Sequence, residues 1–329
     1  MASITRVGIA GTGSYLPERV VPNAWFEEFL DTSDEWITQR TGIKFRRYAA
    51  EDEATSDLCV KASERALEAA EIDAADIDLV ICGTLSGDHV IPATACLVQD
   101  RLGMKKAGAF DVNAACTGFL TALHTGEAFI SAGRAKRVLV LGAETLSRFV
   151  DFKDRSSAVI FGDGAGAAVL TPHADCGRGE ILRTTLGADG SGGDFIHIKA
   201  GGSRKPATAE TVAAGEHFIR MQGREVYRFA VKQMTTLIRE MTKDHEPEEL
   251  SLIVPHQVNK RIIDAALERL EIPVEKVLVN IAEFANTSAA TVPIALDQAV
   301  RENRLEKGKL VVLVAFGAGL TWGATQLRW

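Results

Sequence analysis

Three residues far apart in the chain carry reactive or hydrogen-bonding side chains in the same kind of setting. Cys116 follows FDVNAA and precedes TGFLTALHTGEAFISAG. His256 follows LSLIVP and Asn286 follows VLVNIAEFA, and each precedes a segment with helical spacing of apolar residues. All three are predicted at junctions where an apolar strand hands over to a helix. A helix N-terminus presents unpaired N–H groups and the positive end of the helix dipole. Such a setting is expected to draw the Cys116 thiol from about 8.5 toward neutrality and make the thiolate available as a nucleophile. In open α/β sheets these junctions lie at the carboxyl ends of strands, where ligands bind, so the three are placed to converge on one pocket. Each residue alone also has an ordinary reading. A cysteine among alanines is a small buried hydrophobe, a histidine after Pro255 is a turn residue, and an asparagine before Thr-Ser is a helix N-cap. Cys59 and Cys96 fall in helical patterns, Cys82 in a strand and Cys176 in a loop with no base nearby.

The elements that must position these residues are legible as apolar runs of strand length. They are DLVICGT (78–84), RVLVLGA (137–143), AVIFGDGAGAAVL (158–170), LSLIVPH (250–256), EKVLVNI (275–281) and KLVVLVAFGAG (309–319). Their lack of polar alternation predicts strands buried on both faces. Helices are predicted over 55–70, with Thr55 or Ser56 as N-cap, over 117–132 up to Gly133, over 257–270 and over 288–303. Strands alternating with helices predict an α/β fold. The halves echo each other: strand, small-residue turn, helix, then a Gly-rich closing pair of strands. This predicts a duplicated domain with a pseudo-twofold, residues 1–174 forming one half and 175–329 the other. The Gly/Ser-rich stretch 187–205 reads as an exposed loop.

The length of 329 residues suits two ordinary domains. Hydrophobic residues at 46% and charged residues at 25% mark a globular chain. A net charge of −7 disfavours a general nucleic-acid binder. No apolar run has the roughly 18 residues of a membrane span, and MASITRVGIAGTGSYLP lacks the plan of a signal peptide. Five sparse cysteines without a CxxC pair suggest neither a disulfide framework nor zinc. A reducing cytoplasm is the expected location. GTGSYL (11–16) lacks the third glycine of a dinucleotide fingerprint, and Pro17 follows at once. GDGAGA (162–167) has no following GK[ST] and reads as a tight turn into a strand. There is no Gly-x-Ser-x-Gly elbow and no HExxH or other ligand-spaced cluster, so no catalytic metal is expected.

DVNAACTGF (111–119), VPHQVNKRII (254–263), ANTSAATVPIALDQAV (285–300) and FGAGLTWG (316–323) together resemble the β-ketoacyl-acyl carrier protein synthase III family. DTSDEWITQRTGI (31–43) and FGDGAGAAVL (161–170) resemble it too, and the motifs span nearly the whole chain in the family's order. The resemblance implies a thiolase-like fold, two halves with mixed five-stranded sheets in αβαβα layers. It implies Cys116 as nucleophile and His256 with Asn286 as the pair that supports decarboxylation. Elongating condensing enzymes use two histidines, whereas the third position here is Asn286. Degradative thiolases carry a second cysteine near the C-terminus, and FGAGLTWGATQLRW has none. Plant-type polyketide synthases also use Cys, His and Asn, but lack the PHQ-x-N-x-R segment.

The implied reaction takes an acyl group from acyl-CoA onto Cys116 and condenses it with malonyl-acyl carrier protein, without metal or redox cofactor. Backbone N–H groups of Cys116 and Ala318 are implied as the oxyanion hole, and Phe316 as an apolar wall near the departing carboxylate. Ala285 and Ala318 stand where the family usually has glycine. A backbone donor with negative φ needs none, so the hole is expected to survive. Trp36 and Arg155 look like the family's adenine sandwich, Arg40 a phosphate contact and Gly223 a clearance for the pantetheine arm. Arg224, Arg228 and Lys232 recur every four residues on a predicted helix. With Arg269 and the segment Gln257, Val258, Asn259, Lys260 and Arg261, they form the expected docking surface for an acidic carrier protein. A homodimer is implied. In it HVIPATAC (89–96) reaches the partner's acyl tunnel, with Ile91 where acetyl-specific members carry Phe. Leu146 and Phe161 complete the expected acyl pocket. Two other readings remain open at this point: a priming or tailoring ketosynthase of a secondary-metabolite pathway, and a non-catalytic scaffold that binds carrier protein.

Overall fold

The structure is a computed structural model that describes residues 5–329; the first four residues of the segment read for a signal peptide lie outside it. The apolar runs form two sheets. In the first are β1 (Val7–Tyr15), β2 (Leu79–Gly83), β3 (Gly108–Val112), β4 (Val138–Thr145) and β5 (Asp163–Pro172). Their order is β1-β5-β4-β2-β3, with the first two joints antiparallel and the last two parallel. In the second are β6 (Glu180–Ala188), β7 (Leu250–Pro255), β8 (Leu310–Gly317) and β9 (Thr321–Arg328). Their order, β6-β9-β8-β7, repeats the first sheet joint by joint: antiparallel, antiparallel, parallel.

Among the described residues, seven helices of eight residues or more cover and separate the sheets: α1 (Asp34–Thr41), α2 (Thr55–Ala70), α3 (Thr94–Arg101), α4 (Gly118–Ser131), α5 (Gly223–Thr242), α6 (Lys260–Leu270) and α7 (Thr291–Arg301). Alternate residues of β4 show why the strands are apolar throughout. Val138 and Val140 face a core shared with Phe119 and Leu123 of α4, Leu296 of α7 and Leu313 of β8. Leu139 and Leu141 face the opposite core with Leu58 and Ala62 of α2 and Val98 of α3. On the far side, α5 and α6 cover the second sheet through Met234, Ile238 and Ile263 against Val312 and Val314. The layers therefore run α, β, α, β, α, with α4 and α7 enclosed between the sheets. Each buried Leu, Ile or Val contributes roughly 1.5–3 kcal/mol.

Four sequence expectations change. EKVLVNI does not form a fifth strand of the second sheet: only Val277 bridges Ile253, so that sheet has four strands and one bridge. The reason is Gln257. Its amide donates to the carbonyls of Pro255 (2.8 Å) and Leu278 (3.0 Å), and its oxygen accepts the N–H groups of Asn280 (3.0 Å) and Ile281 (3.2 Å). A side chain thus does the pairing that a continuing strand would do. At 158–170 the strand starts only at Asp163, because Asp154 caps a short helix, Arg155–Ala158, through the Ser156 N–H. At 187–205 the chain is no open loop: β6 runs to Ala188, and Ile196–Ile198 pairs with Ile219–Met221. Thr55 and Ser56 lie inside α2, whose N-cap is Ala54. Among the described residues, no helix is long and apolar enough to cross a membrane.

Replacing Gln257 by leucine strands two buried N–H groups and two carbonyls, at about 1–3 kcal/mol for each group left unpaired. Urea unfolding of Gln257→Leu is expected to show a loss of at least 3 kcal/mol; a loss below 1 kcal/mol contradicts this role.

Candidate active site

Cys116, His256 and Asn286 line one cavity of about 520 Å³. Cys116 follows the end of β3 and His256 the end of β7, whereas Asn286 follows a short helix, Ile281–Phe284, and not the strand expected before it. Cys116 sits in a short 3-10 turn, Ala115–Thr117, that leads into α4, and Ala115 is held at φ 47° to make the turn. Gly317 at the end of β8 backs onto it: a Cβ there would lie 2.7 Å from the Cys116 nitrogen and 2.9 Å from its Cβ. Behind the turn, the Thr117 hydroxyl donates to Thr321 Oγ1 (2.9 Å), linking the two halves. His256 follows β7, its N–H bonded to Val314 O (2.7 Å). Its Nδ1 meets Thr291 Oγ1 at 2.6 Å, while its buried Nε2 has no partner. Phe316 packs edge-on against the imidazole, centroids 5.6 Å apart. Asn286 is clamped by backbone bonds to Ile160 O and from Gly162 N, both 3.0 Å. Its Oδ1 accepts the Ser288 N–H at 2.8 Å, which leaves its NH₂ as the free end of the amide.

Desolvation dominates the electrostatics. Burial pushes the Cys116 thiol up to about 12, the neighbouring Ser288 hydroxyl opposing the effect and the Glu144 carboxylate adding to it. This corrects the expectation of a thiol drawn toward neutrality. The helix N-terminus is present, but burial beside an acidic group outweighs it. Burial likewise lowers His256 to about 3, so the imidazole is neutral. Sequence reasoning missed Glu144. This fully buried carboxyl at the end of β4 is raised to about 7, with desolvation the main cause. Its signal was there, an acidic residue ending an otherwise apolar strand in LVLGAE. Ser288 and Thr291, also missed, stand within the ANTSAAT motif.

The two alanines differ. Ala318 has no positive φ, its carbonyl accepts from Thr321 Oγ1 (3.0 Å), and its N–H has no backbone partner among the described residues. Ala285 sits at φ 58°, ψ −158°, a region almost confined to glycine. The expectation of negative φ is thus corrected there, and the strain costs on the order of 1–3 kcal/mol.

Comparison with known proteins shows the family. Residues 110–190 match the family model for 3-oxoacyl-[acyl-carrier-protein (ACP)] synthase III, and residues 241–329 match the model for its C-terminal part. A β-ketoacyl-[acyl-carrier-protein] synthase III of Clostridioides difficile is 50% identical over 99% of this chain and 99% of its own. The chain belongs to the β-ketoacyl-acyl carrier protein synthase III family. The crystal structure of 3-oxoacyl-[acyl-carrier-protein] synthase III from Aquifex aeolicus is 46% identical. It superposes with a TM-score of 0.90, covering 98% of this chain and 100% of that one. The priming β-ketosynthase of the R1128 polyketide pathway is 35% identical with a TM-score of 0.91, covering 100% and 98%.

In this synthase III family member, the cavity also takes in Trp36, Arg40, Arg155, Gly223, Leu146, Phe161, Val258, Asn259, Phe316 and Ala318. The expected adenine slot is shut. Arg155 lies 4.6 Å above the Trp36 ring, held by the Asp31 carbonyl, and no base fits between them. Gly223 opens α5, and a Cβ there would meet nothing within 4 Å. Asn259 caps α6 and donates to Arg40 O (3.0 Å). Gln257 is 1% exposed and fully hydrogen-bonded, so it is no docking residue. Arg228 pairs with Glu225 and Lys260 with Asp264. Arg224, Lys232, Arg261 and Arg269 are exposed without an ion pair among the described residues, Arg261 lying 5.9 Å from the Tyr227 ring. Ile91 is 83% exposed and does not line the cavity of its own chain.

The two shifted groups affect stability with opposite signs. Unfolded, His256 takes a proton near 6.5; folded, it refuses one until about 3. Its contribution is complete above pH 6.5 and is lost on acidification by roughly 1.4 kcal/mol per unit. Glu144, raised from 4.5 to about 7, acts oppositely and destabilises as pH rises through that window. The stability gap between wild type and His256→Ala should therefore shrink by roughly 3 kcal/mol from pH 7 to 4.5. Urea titrations giving a pH-independent gap would contradict a neutral buried imidazole.

Proposed function

We propose that the protein is a β-ketoacyl-acyl carrier protein synthase III, acting in the cytoplasm as a homodimer in the initiation of fatty acid synthesis. The observation that carries this is the convergence of Cys116, His256 and Asn286 in one largely apolar cavity, in a chain about half identical to proteins of that name. Cys116 sulfur attacks the acyl-CoA thioester, with the Cys116 and Ala318 N–H groups receiving the oxyanion. CoA leaves and the acyl group stays on sulfur. Malonyl-acyl carrier protein then enters. The Asn286 NH₂ and His256 Nε2–H donate to its thioester oxygen as CO₂ departs and enolate charge gathers there. The Thr291 hydroxyl lies between Ser288 O (2.9 Å) and His256 Nδ1 (2.6 Å); in the tautomer with Nε2–H its single proton turns from Ser288 O to Nδ1. The Phe316 ring disfavours the charged carboxylate and so assists its loss. The carbanion attacks acyl-cysteine and yields 3-oxoacyl-carrier protein. No metal or redox cofactor takes part.

CoA binding requires Arg155 to swing off Trp36, giving the base two faces to stack between. Arg40 then meets phosphate, and Gly223 leaves the pantetheine arm its path. Arg224, Arg261 and Arg269, with Arg228, Lys260 and the neighbouring Val258 and Asn259, steer the acidic carrier protein. Leu146 and Phe161 wall the acyl end. The dimer buries the exposed pair Val90 and Ile91, and Ile91 closes the partner's pocket with less bulk than Phe, which suits longer or branched primers. Identity favours this reading over a polyketide-priming role: 50% against 35%.

Intact-protein mass spectrometry after exposure to an acyl-CoA panel should show one acyl mass, absent in Cys116→Ala; no adduct on the wild type would reject the assignment. Arg261→Glu should raise KM for malonyl-carrier protein at least tenfold while CoA-dependent acylation stays within twofold. Equal loss of both half-reactions would remove Arg261 from the docking surface.

A further inference from the structure

The Glu144 carboxyl and the Ser288 side chain have no part in the mechanism above, yet together they lead from a buried acid to the cavity that holds the nucleophile. Glu144 is 0% exposed and makes no ion pair among the described residues. Its carboxylate accepts from Ser86 Oγ, Ser86 N (3.1 Å), Leu85 N (3.2 Å), Thr84 Oγ1 (3.3 Å) and Ser288 Oγ (3.1 Å). Ser288 lines the same cavity as Cys116, and the Ser288–Ala290 turn packs against the Ala115–Thr117 turn that carries the thiol. The backbone holds Ser288 at φ 49°, a left-handed conformation that a serine adopts only when its surroundings impose it.

We infer that, during acylation, the Cys116 thiol proton passes through the Ser288 hydroxyl to the Glu144 carboxylate, which stores it until condensation returns it. This rests on the acyl-transfer reading above. The alternative acceptor, His256, lies in an apolar corner with Thr291 as its single side-chain partner. Moving the proton there would create two buried charges, thiolate and imidazolium, from none. Moving it to Glu144 relocates one negative charge and leaves a neutral acid, the cheaper change at low dielectric. It also removes the repulsion that Glu144 exerts on a forming thiolate. The division of labour is then complete: Glu144 with Ser288 handles the thiol proton, and His256 remains neutral as a donor with Asn286.

The step balances. The Cys116 S–H bond breaks as Ser288 Oγ takes that proton and delivers its own to Glu144 Oε1. The sulfur electron pair forms the C–S bond to the acyl carbonyl. The C–S bond to CoA breaks, and CoA departs as thiolate, which takes a proton from solvent. In condensation the new C–C bond forms, the Cys116 C–S bond breaks, and the thiolate recovers its proton through Ser288 from Glu144. One solvent proton is consumed per turnover, matching the conversion of a carboxylate to CO₂.

The titratable groups facing Glu144 are the thiols of Cys116 and Cys82; the other contacts, from the 84–86 turn and from Ser288, are neutral donors. Both thiols remain protonated near pH 7, Cys116 raised by burial and Cys82 by its hydrogen bond with Cys59 and by burial. Only ionised Glu144 accepts a proton, so acylation should rise with pH through about 7.

The test uses the full-length protein with acyl-CoA, reading the adduct by mass and the carboxyl groups by infrared difference spectroscopy. Acylation of the wild type should bring up one protonated-carboxyl band per acyl adduct, missing in Glu144→Gln. Ser288→Ala should acylate about 100-fold more slowly and lose the pH limb near 7. Should Glu144→Gln fail to fold, the wild-type band and Ser288→Ala decide the matter. An adduct that forms without the band, or Ser288→Ala acylating at the wild-type rate, overturns the relay alone. No adduct on the wild type overturns the acyl-transfer reading beneath it.

Discussion

Helices α4 and α7 lie enclosed between two sheets, and their N-terminal turns deliver Cys116 and Asn286 to the same cavity. Neither helix can slide without opening a core built from Phe119, Leu123, Val292 and Leu296 against strands of both halves. Close packing of this kind resists shifts of even one methylene. The nucleophile and its partners therefore hold their relation without being near in sequence. Three non-glycine residues at the site, Ala115, Ala285 and Ser288, are held at positive φ. A single loop does not impose such conformations at a cost of order 1–3 kcal/mol each; two docked halves do.

The same enclosure sets the chemistry. Removing water from the cavity leaves a protonated thiol, a neutral imidazole and a carboxyl poised near neutrality. A resting thiol protects the enzyme from adventitious oxidation, because the thiolate is the reactive form. Reactivity then depends on substrate arrival and on donors already oriented. The Asn286 amide is fixed by the Ser288 N–H, and the imidazole by Thr291. Preorganised donors of this kind act where charge develops and cost no reorganisation at that moment.

Much of this was legible in the chain. Strands buried on both faces declare themselves by unbroken Val, Ile and Leu, and Cys116 and His256 by reactive side chains between a strand and a helix. The repeat of the two sheets follows the echo seen between the halves. What escaped is three-dimensional. The direction of the Cys116 shift depends on burial and on Glu144, 28 positions along the chain by residue number. EKVLVNI has strand composition, but a side chain, Gln257, takes the hydrogen bonds that pairing would use. The same burial removes Gln257 from the docking surface that its motif suggested. Trp36 and Arg155 were matched by type, but not the direct stacking that shuts their slot.

The central claim is that the groups meeting in the cavity divide the reaction between sulfur and two hydrogen-bond donors. A single-turnover experiment tests it directly. Acylated enzyme, freed of CoA, is mixed with carrier protein bearing malonate labelled in its free carboxylate, and labelled CO₂ is counted against 3-oxoacyl product. The account predicts one CO₂ per product, with release slowed about 100-fold or more in Asn286→Ala although that variant still carries its acyl group. Labelled CO₂ released by acylated Asn286→Ala at the wild-type rate would contradict it.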